Sequence, residues 1–234
     1  MNTLGIDTSG ETLFLCLKTD ELEISVKHGR GYRHAETLVP WIRSLCLDAD
    51  LTPTHLDLVA VSLGPGSFTG IRIGLATAKA IASAASCAIV GVPTLDALAW
   101  GLRGSGETVV PVIDARKRRV YAAVYRGDAR ISGYLDLLPS ELNDAVFQQL
   151  GGTEEAVILT GPFAREMHAR WNEKKPPFAF TLDVNSDIFD PHCLAVIGES
   201  VYRTGGSAAE SIAPIYLRRS EAEINRDRVK HEGS

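Results

Sequence analysis

Along most of the chain, short apolar runs alternate with polar breaks that carry glycine. The pattern organises around residues 58–85. Leu58-Val59-Ala60-Val61 is a continuous apolar run, Gly64-Pro65-Gly66-Ser67-Phe68-Thr69-Gly70-Ile71-Arg72-Ile73-Gly74 follows, and an alanine-rich stretch reaches Ala85. That order predicts a buried strand, a glycine loop and a helix capped by Ser67 or Thr69. Upstream, residues 3–6, 12–18 and 21–27 read as three strands joined by tight turns, a meander. Residues 32–49 then carry apolar positions at helical spacing, Ala35, Leu38/Val39, Ile42, Leu45/Cys46 and Ala49, with Pro40 inside as a candidate kink.

Downstream, residues 88–92 predict a strand and 93–102 a helix opened by Pro93. Arg103-Gly104-Ser105-Gly106-Glu107 is the candidate boundary between a first lobe, 1–104, and a second, 105–212. The second lobe reads as strands at 110–116, 120–125, 131–137 and 157–159, with helices at 139–150, 162–171 and 191–203. Residues 174–187 read as loop, and 213–234 as a charged tail expected to be mobile.

The two halves begin alike. Gly5-Ile6-Asp7-Thr8-Ser9 leads into an apolar strand at 13–17, and Ile113-Asp114-Ala115-Arg116 leads into one at 120–125. Two strand–Asp–turn–strand units opening two halves describe the superfamily of actin, sugar kinases and heat-shock ATPases. The expected fold is therefore α/β: two ribonuclease-H-like lobes, with mixed sheets flanked by helices.

With 234 residues, 45% hydrophobic and 23% charged, the chain can bury a sizeable core. A net charge of −5 argues against a protein that coats nucleic acid by itself. The four cysteines are scattered without a C-x-x-C, Asp7 and Glu11 interrupt the first apolar run, and no stretch approaches the ~18 apolar residues of a membrane helix. The expectation is a reduced, cytoplasmic protein with no membrane segment.

The glycine loop admits two readings, a phosphate cradle on a helix N-terminus or a tight turn, and the turn is the commoner of the two. It matches neither the P-loop nor the dinucleotide fingerprint. Arg72 places a cation at the positive end of the helix dipole, so an anionic partner is expected for it. Asp7 and Asp114, with Thr8, Ser9 and Arg116, are the candidates for a nucleotide cleft of the kinase kind. Against that, both carboxylates suit turn amides just beyond them. The second lobe also offers only Thr160-Gly161-Pro162 where a glycine-rich adenosine loop is needed, so such a cleft would be degenerate. The six histidines make no i, i+4 pair, which predicts no metal site and no cofactor. Arg116-Lys117-Arg118-Arg119 and Arg218-Arg219 are the basic runs that could meet RNA phosphates.

Ile6-Asp7-Thr8, His34-Ala35-Glu36-Thr37-Leu38-Val39-Pro40, Gly64 to Gly74, Gly91-Val92-Pro93-Thr94-Leu95 and Ile113-Asp114-Ala115-Arg116 with Val120-Tyr121 together resemble the TsaB (YeaZ) family of bacterial proteins. The resemblance covers the first ~130 residues and, more loosely, Tyr216-Leu217-Arg218. It implies a non-catalytic subunit that pairs with a paralogue, TsaD, and works with an ATPase, TsaE. Together these place threonylcarbamoyl on the adenosine beside the tRNA anticodon, so tRNA would be met indirectly, through the complex. Where TsaD carries two metal-binding histidines, this chain has Thr94 and Leu98. The resemblance also implies a helical interface. Gly70, Gly74, Ala78 and Ala82 recur every four residues on one helix, and the neighbouring helix offers His34, Leu38, Trp41, Ile42 and Leu45. These residues, with Arg72, are the expected contact surface, unless the stripe packs on the chain's own sheet. The rivals are a kinase-like ATPase or phosphotransferase using Asp7 and Asp114, a metallopeptidase, and a homodimer of the lone chain.

Overall fold

The structure is a computed structural model that describes residues 1–29, 31, 33–185, 189–205 and 212–218. Two mixed sheets share one plan. The first has the order β3-β2-β1-β4-β5 and the second the path β10-β7-β6-β11-β12. In the first, β1 (Thr3–Asp7), β2 (Leu13–Lys18) and β3 (Glu23–His28) form the expected meander, and β4 (Leu58–Ser62) and β5 (Ala88–Val92) add in parallel. In the second, β6 (Thr108–Asp114), β7 (Val120–Ala122) and β10 (Leu135–Leu137) are antiparallel, and β11 (Val157–Thr160) and β12 (Phe180–Leu182) are parallel to β6. The short β8 (Tyr125–Arg126) and β9 (Ala129–Arg130) extend the β6 edge. The repeat seen in the sequence is therefore a repeat of topology: β1 corresponds to β6, and Asp7 and Asp114 end equivalent strands.

Strands buried on both faces explain the continuous apolar runs. On β4, Val59 and Val61 join Leu4, Ile6 and Leu15 in a core closed by α1 (His34–Asp48) and α2 (Phe68–Ala85). Ala60 faces the other way, into a second cluster with Leu194 and Ile197 of α6 (His192–Arg203). Although α6 lies late in the chain, it packs on β1, β2, β4 and β5 rather than on the second sheet. Gly198 allows this approach, since a Cβ there would come within 2.5 Å of the Ala60 Cβ. A half-buried pair fixes the helix: Lys18 Nζ donates to the buried Glu199 at 2.7 Å, and Thr3 Oγ1 donates to it at 3.1 Å. The first lobe thus includes residues 192–203, which the sequence boundary placed in the second.

The second core gathers Val110, Val112, Val120, Val124, Leu159, Met167 and Trp171, with α4 (Leu142–Gln149) and α5 (Ala164–Lys174) over the sheet. The helix α3 (Thr94–Trp100) joins the lobes: the hydroxyls of Tyr125 and Tyr134 both donate to Asp96 on it. Pro40 lies within α1 and does not end it. Among the described residues, no helix is long and apolar enough to cross a membrane.

Candidate functional site: the cleft between the lobes

The two Asp-tipped turns face one cleft of about 1040 Å³. They are built alike. Asp7 Oδ1 accepts from the Ser9 amide at 2.7 Å, and Asp114 Oδ1 accepts from the Arg116 amide at 2.8 Å, each two residues ahead. The turns are also joined, because the Arg116 guanidinium reaches Glu11 at 2.9 Å as well as Asp114 at 3.4 Å. Their environments differ. Asp114 is exposed, whereas Asp7 is buried, and desolvation pushes its carboxyl above the ordinary range against the opposing pull of the Ser9 hydrogen bonds.

Burial of that carboxylate has a measurable consequence. A folded-state pKa above the unfolded value means that the native state holds its proton more tightly, so stability falls as pH rises through that range. At neutral pH the raised Asp7 pKa therefore costs stability. Asp7→Asn keeps an acceptor for the Ser9 amide, and its melting temperature at pH 7 is expected to exceed wild type by a few degrees. The difference should vanish below about pH 4, where the wild-type carboxyl is protonated in both states. Equal melting temperatures at pH 7 would show that the turn solvates the charge fully.

The glycine loop is a close-packed joint. Ser67 caps α2 by accepting from the Gly70 amide at 3.2 Å, and its own amide donates to Ser9 O at 2.6 Å. Thr8 Oγ1 donates to Gly70 O at 2.7 Å. A Cβ at Gly66 would come within 2.5 Å of Ser9 O, and one at Gly70 or Gly74 would overlap Thr8. These glycines let the Asp7-Thr8-Ser9 turn sit on the helix N-terminus, the place a phosphate would need. In the second lobe, Gly161 (φ +91°) lies against the backbone of Val112, and the Phe163 amide donates to Val112 O at 3.1 Å. That turn is packed onto β6.

A further feature was missed in the sequence. Residues 213–218, expected to begin a mobile tail, are packed in place, and 215–218 line the cleft. Ile212 is buried, the Ile215 amide donates to Leu63 O at 2.8 Å, and Tyr216 stacks on Phe68 with ring centroids 4.7 Å apart. The expected anionic partner of Arg72 is instead aromatic: its Nε donates to the Tyr216 hydroxyl at 2.8 Å, and its guanidinium lies 3.7 Å from the Phe68 ring centre. Arg218 reaches Asp136 at 3.2 Å, beside Arg119 at 2.6 Å. Two members of the 116–119 basic run, Arg116 and Arg119, are thus held in ion pairs. Arg219 lies outside the described residues.

The expected contact surface is corrected in part. Leu38, Ile42, Leu45, Gly70, Gly74 and Ala78 are buried in the chain's own first core, because the small-residue stripe is what lets α2 lie against β1 and β4. His34 is buried too, its Nε2 2.8 Å from Gly10 O. Trp41 is half-buried against His28, and Arg72 is exposed. What α1 and α2 present outward is a different set: Val39, Arg43 and Leu47 in one line on α1, and Ala76, Lys79 and Ala80 on α2. At the positions the resemblance compares with paired histidines, Thr94 Oγ1 is hydrogen-bonded to Ser62 Oγ at 2.7 Å, and Leu98 lines the cleft.

The family model described as TsaD, tRNA N6-adenosine threonylcarbamoyltransferase, matches residues 30–181. The tRNA threonylcarbamoyladenosine biosynthesis protein TsaB of Bacillus subtilis is 34% identical over 128 residues, 54% of this chain and 56% of that one. TsaB of Haemophilus influenzae is 29% identical over 226 residues, 93% of this chain and 94% of that one. The chain belongs to this family, on its TsaB (YeaZ) branch. The match spans about half the length of several of the curated relatives. In fold, the chain is similar to YeaZ from Pseudomonas aeruginosa, with a TM-score of 0.73 at 24% identity over 92% of this chain and 99% of that one. It is also similar to a Bacteroides thetaiotaomicron protein with an actin-like ATPase fold, at a TM-score of 0.52 and 9% identity over 83% of this chain and 95% of that one. The expected two-lobed architecture is the observed one.

Proposed function

We propose that this TsaB-family chain is a non-catalytic activating subunit in tRNA threonylcarbamoyladenosine synthesis. It pairs with a TsaD-like paralogue and acts with a TsaE-like ATPase, and it meets tRNA through the complex. The observation that carries the non-catalytic part is the state of the cleft. The Ser67 and Gly70 amides of the glycine loop are bonded to protein, the Gly161 turn is packed onto β6, and Ile215 to Arg218 lie along the cavity. Asp7 and Asp114 each serve a turn amide, which supports a structural role over a phosphoryl-transfer role. The biological role rests on the likeness to TsaB of Bacillus subtilis and of Haemophilus influenzae.

In this reading the partner surface is the outer face of α1 and α2. Two of the exposed large hydrophobic side chains, Val39 and Leu47, lie eight residues apart on α1, and Ala76 and Ala80 are small exposed residues on α2, with the exposed Lys79 between them. Small outward residues let a second pair of helices approach closely. The four free cysteines fit a reducing, cytoplasmic setting.

Reconstitution tests the whole reading. The lone chain, given ATP, threonine, bicarbonate and tRNA, is expected to form no modified adenosine and to turn over no ATP. Adding the TsaD-like and TsaE-like proteins, with the enzyme that makes the threonylcarbamoyl-adenylate donor, should give modification that depends on this chain. Rapid ATP turnover by the lone chain, lost in Asp114→Ala, would replace this reading with the phosphotransferase one.

A further inference from the structure

On the side of the first sheet away from α1 and α2, three residues from distant parts of the chain come together. Cys16 of β2, Glu23 of β3 and His192 of α6 offer a sulfur, a carboxylate oxygen and an imidazole nitrogen that all lie within 4.8 Å of one another. The backbone enforces this. In the β2–β3 register, Lys18 is opposite Glu23 and Cys16 is opposite Ser25, so Cys16 and Glu23 leave the same face of the hairpin. That is the face α6 covers, as the Lys18–Glu199 pair shows. Asp190 accepts from the His192 amide at 3.0 Å and so fixes the turn that opens α6.

We propose that Cys16, Glu23 and His192 form a binding site for a divalent transition-metal ion, zinc by the chemistry of the donors. One thiolate, one imidazole and one carboxylate make a mixed soft and borderline set, which suits zinc or cobalt and not magnesium or calcium. A second observation points the same way. His192 Nδ1 lies 2.6 Å from Glu23 Oε2, yet it is buried and has no aligned hydrogen-bond partner. The two ligand atoms thus converge without hydrogen-bond alignment, and a cation between them would be held by both. Around a tetrahedral ion the nitrogen and oxygen would stand about 3.3 Å apart, so the two side chains must part slightly and move toward the sulfur. His192 and Glu23 are both partly exposed and can make that adjustment, whereas Cys16 is fixed in its strand. Binding displaces the thiol proton and clips the edge strand β3 to α6. The sequence hides this site because positions 16, 23 and 192 share no local spacing.

Cobalt(II) is the probe, since a thiolate ligand gives it a charge-transfer absorption that carboxylate and imidazole alone do not. The full chain, treated with chelator and titrated with cobalt, is expected to develop that band at one ion per chain and to melt at a higher temperature with zinc than without. Cys16→Ser should abolish the band. Glu23→Gln and His192→Asn, at partly exposed positions that tolerate change, should each weaken cobalt binding at least about tenfold, while Cys87→Ser should leave it unchanged. No thiolate band in the wild-type chain, a band that survives Cys16→Ser, or binding indifferent to both Glu23→Gln and His192→Asn would overturn the proposal. The cluster would then be an ion pair beside an inert thiol.

Discussion

Arginine at Ala78 or at Leu45 is expected to unfold the protein. Both side chains are essentially fully buried, at 0% and 1% exposure, in the core formed by β1, β2, β4, α1 and α2. A guanidinium placed there has no anionic partner, and its long stem has no space. An uncompensated buried charge costs about 3–5 kcal/mol, and overpacking adds about 1–3. That sum rivals the whole stability of a typical domain, about 5–15 kcal/mol. Circular dichroism and urea denaturation read the outcome directly: little folded signal at 25 °C, or a midpoint far below wild type. Gly70→Ala should be damaging for a related reason, because its methyl group would overlap the Thr8 carbonyl. A folded Ala78→Arg protein with a wild-type midpoint would mean that the stripe faces outward after all.

The stripe shows where sequence reading stops. Gly70, Gly74, Ala78 and Ala82 at four-residue spacing say that something approaches α2 closely, but helix–helix and helix–sheet contacts use small residues equally. What decides is Thr8, some sixty residues away, whose hydroxyl and carbonyl occupy the space the glycines leave. The continuous apolar runs and the paired Ile-Asp motifs were more legible, because strand burial and turn chemistry are local. Even Asp7 and Asp114 could be assigned to turn amides from spacing alone, and the hydrogen bonds follow that reading. Long-range placement was not legible. α6 is apolar enough to bury on either sheet, and long-range contacts such as Gly198 against Ala60 and Glu199 against Lys18 direct it to the first. Strand β12 hides in three residues after Pro176-Pro177, too short for a period to register. Residues 213–218 looked like the start of a charged tail because their partners, Leu63, Phe68, Arg72 and Asp136, come from both lobes.

Charges on the outer face of the same two helices should have the opposite outcome, leaving the fold intact while pairing fails. Val39 and Leu47 are 59% and 63% exposed, and Ala76 is exposed on α2, the helix that packs against α1. Exposed substitutions of this kind normally change stability by no more than about 0.5 kcal/mol, so Val39→Asp, Leu47→Asp and Ala76→Arg should melt near wild type. If this surface meets the TsaD-like paralogue, each places an unpaired charge in an apolar contact, at a cost of several kcal/mol. Each 1.4 kcal/mol is about tenfold in affinity, so the dissociation constant should rise by about two orders of magnitude or more. Co-purification and calorimetric titration with the paralogue measure this, and modification activity should fall in parallel at limiting subunit concentration. Arg43→Gln, between Val39 and Leu47 on the same line, is the control, since it introduces no new charge and should shift affinity less than the charged substitutions at its apolar neighbours. Folded variants that still bind the paralogue as wild type would move the interface off these helices. The exposed strand edges and the C-terminal segment over the cleft would then be the surfaces to test.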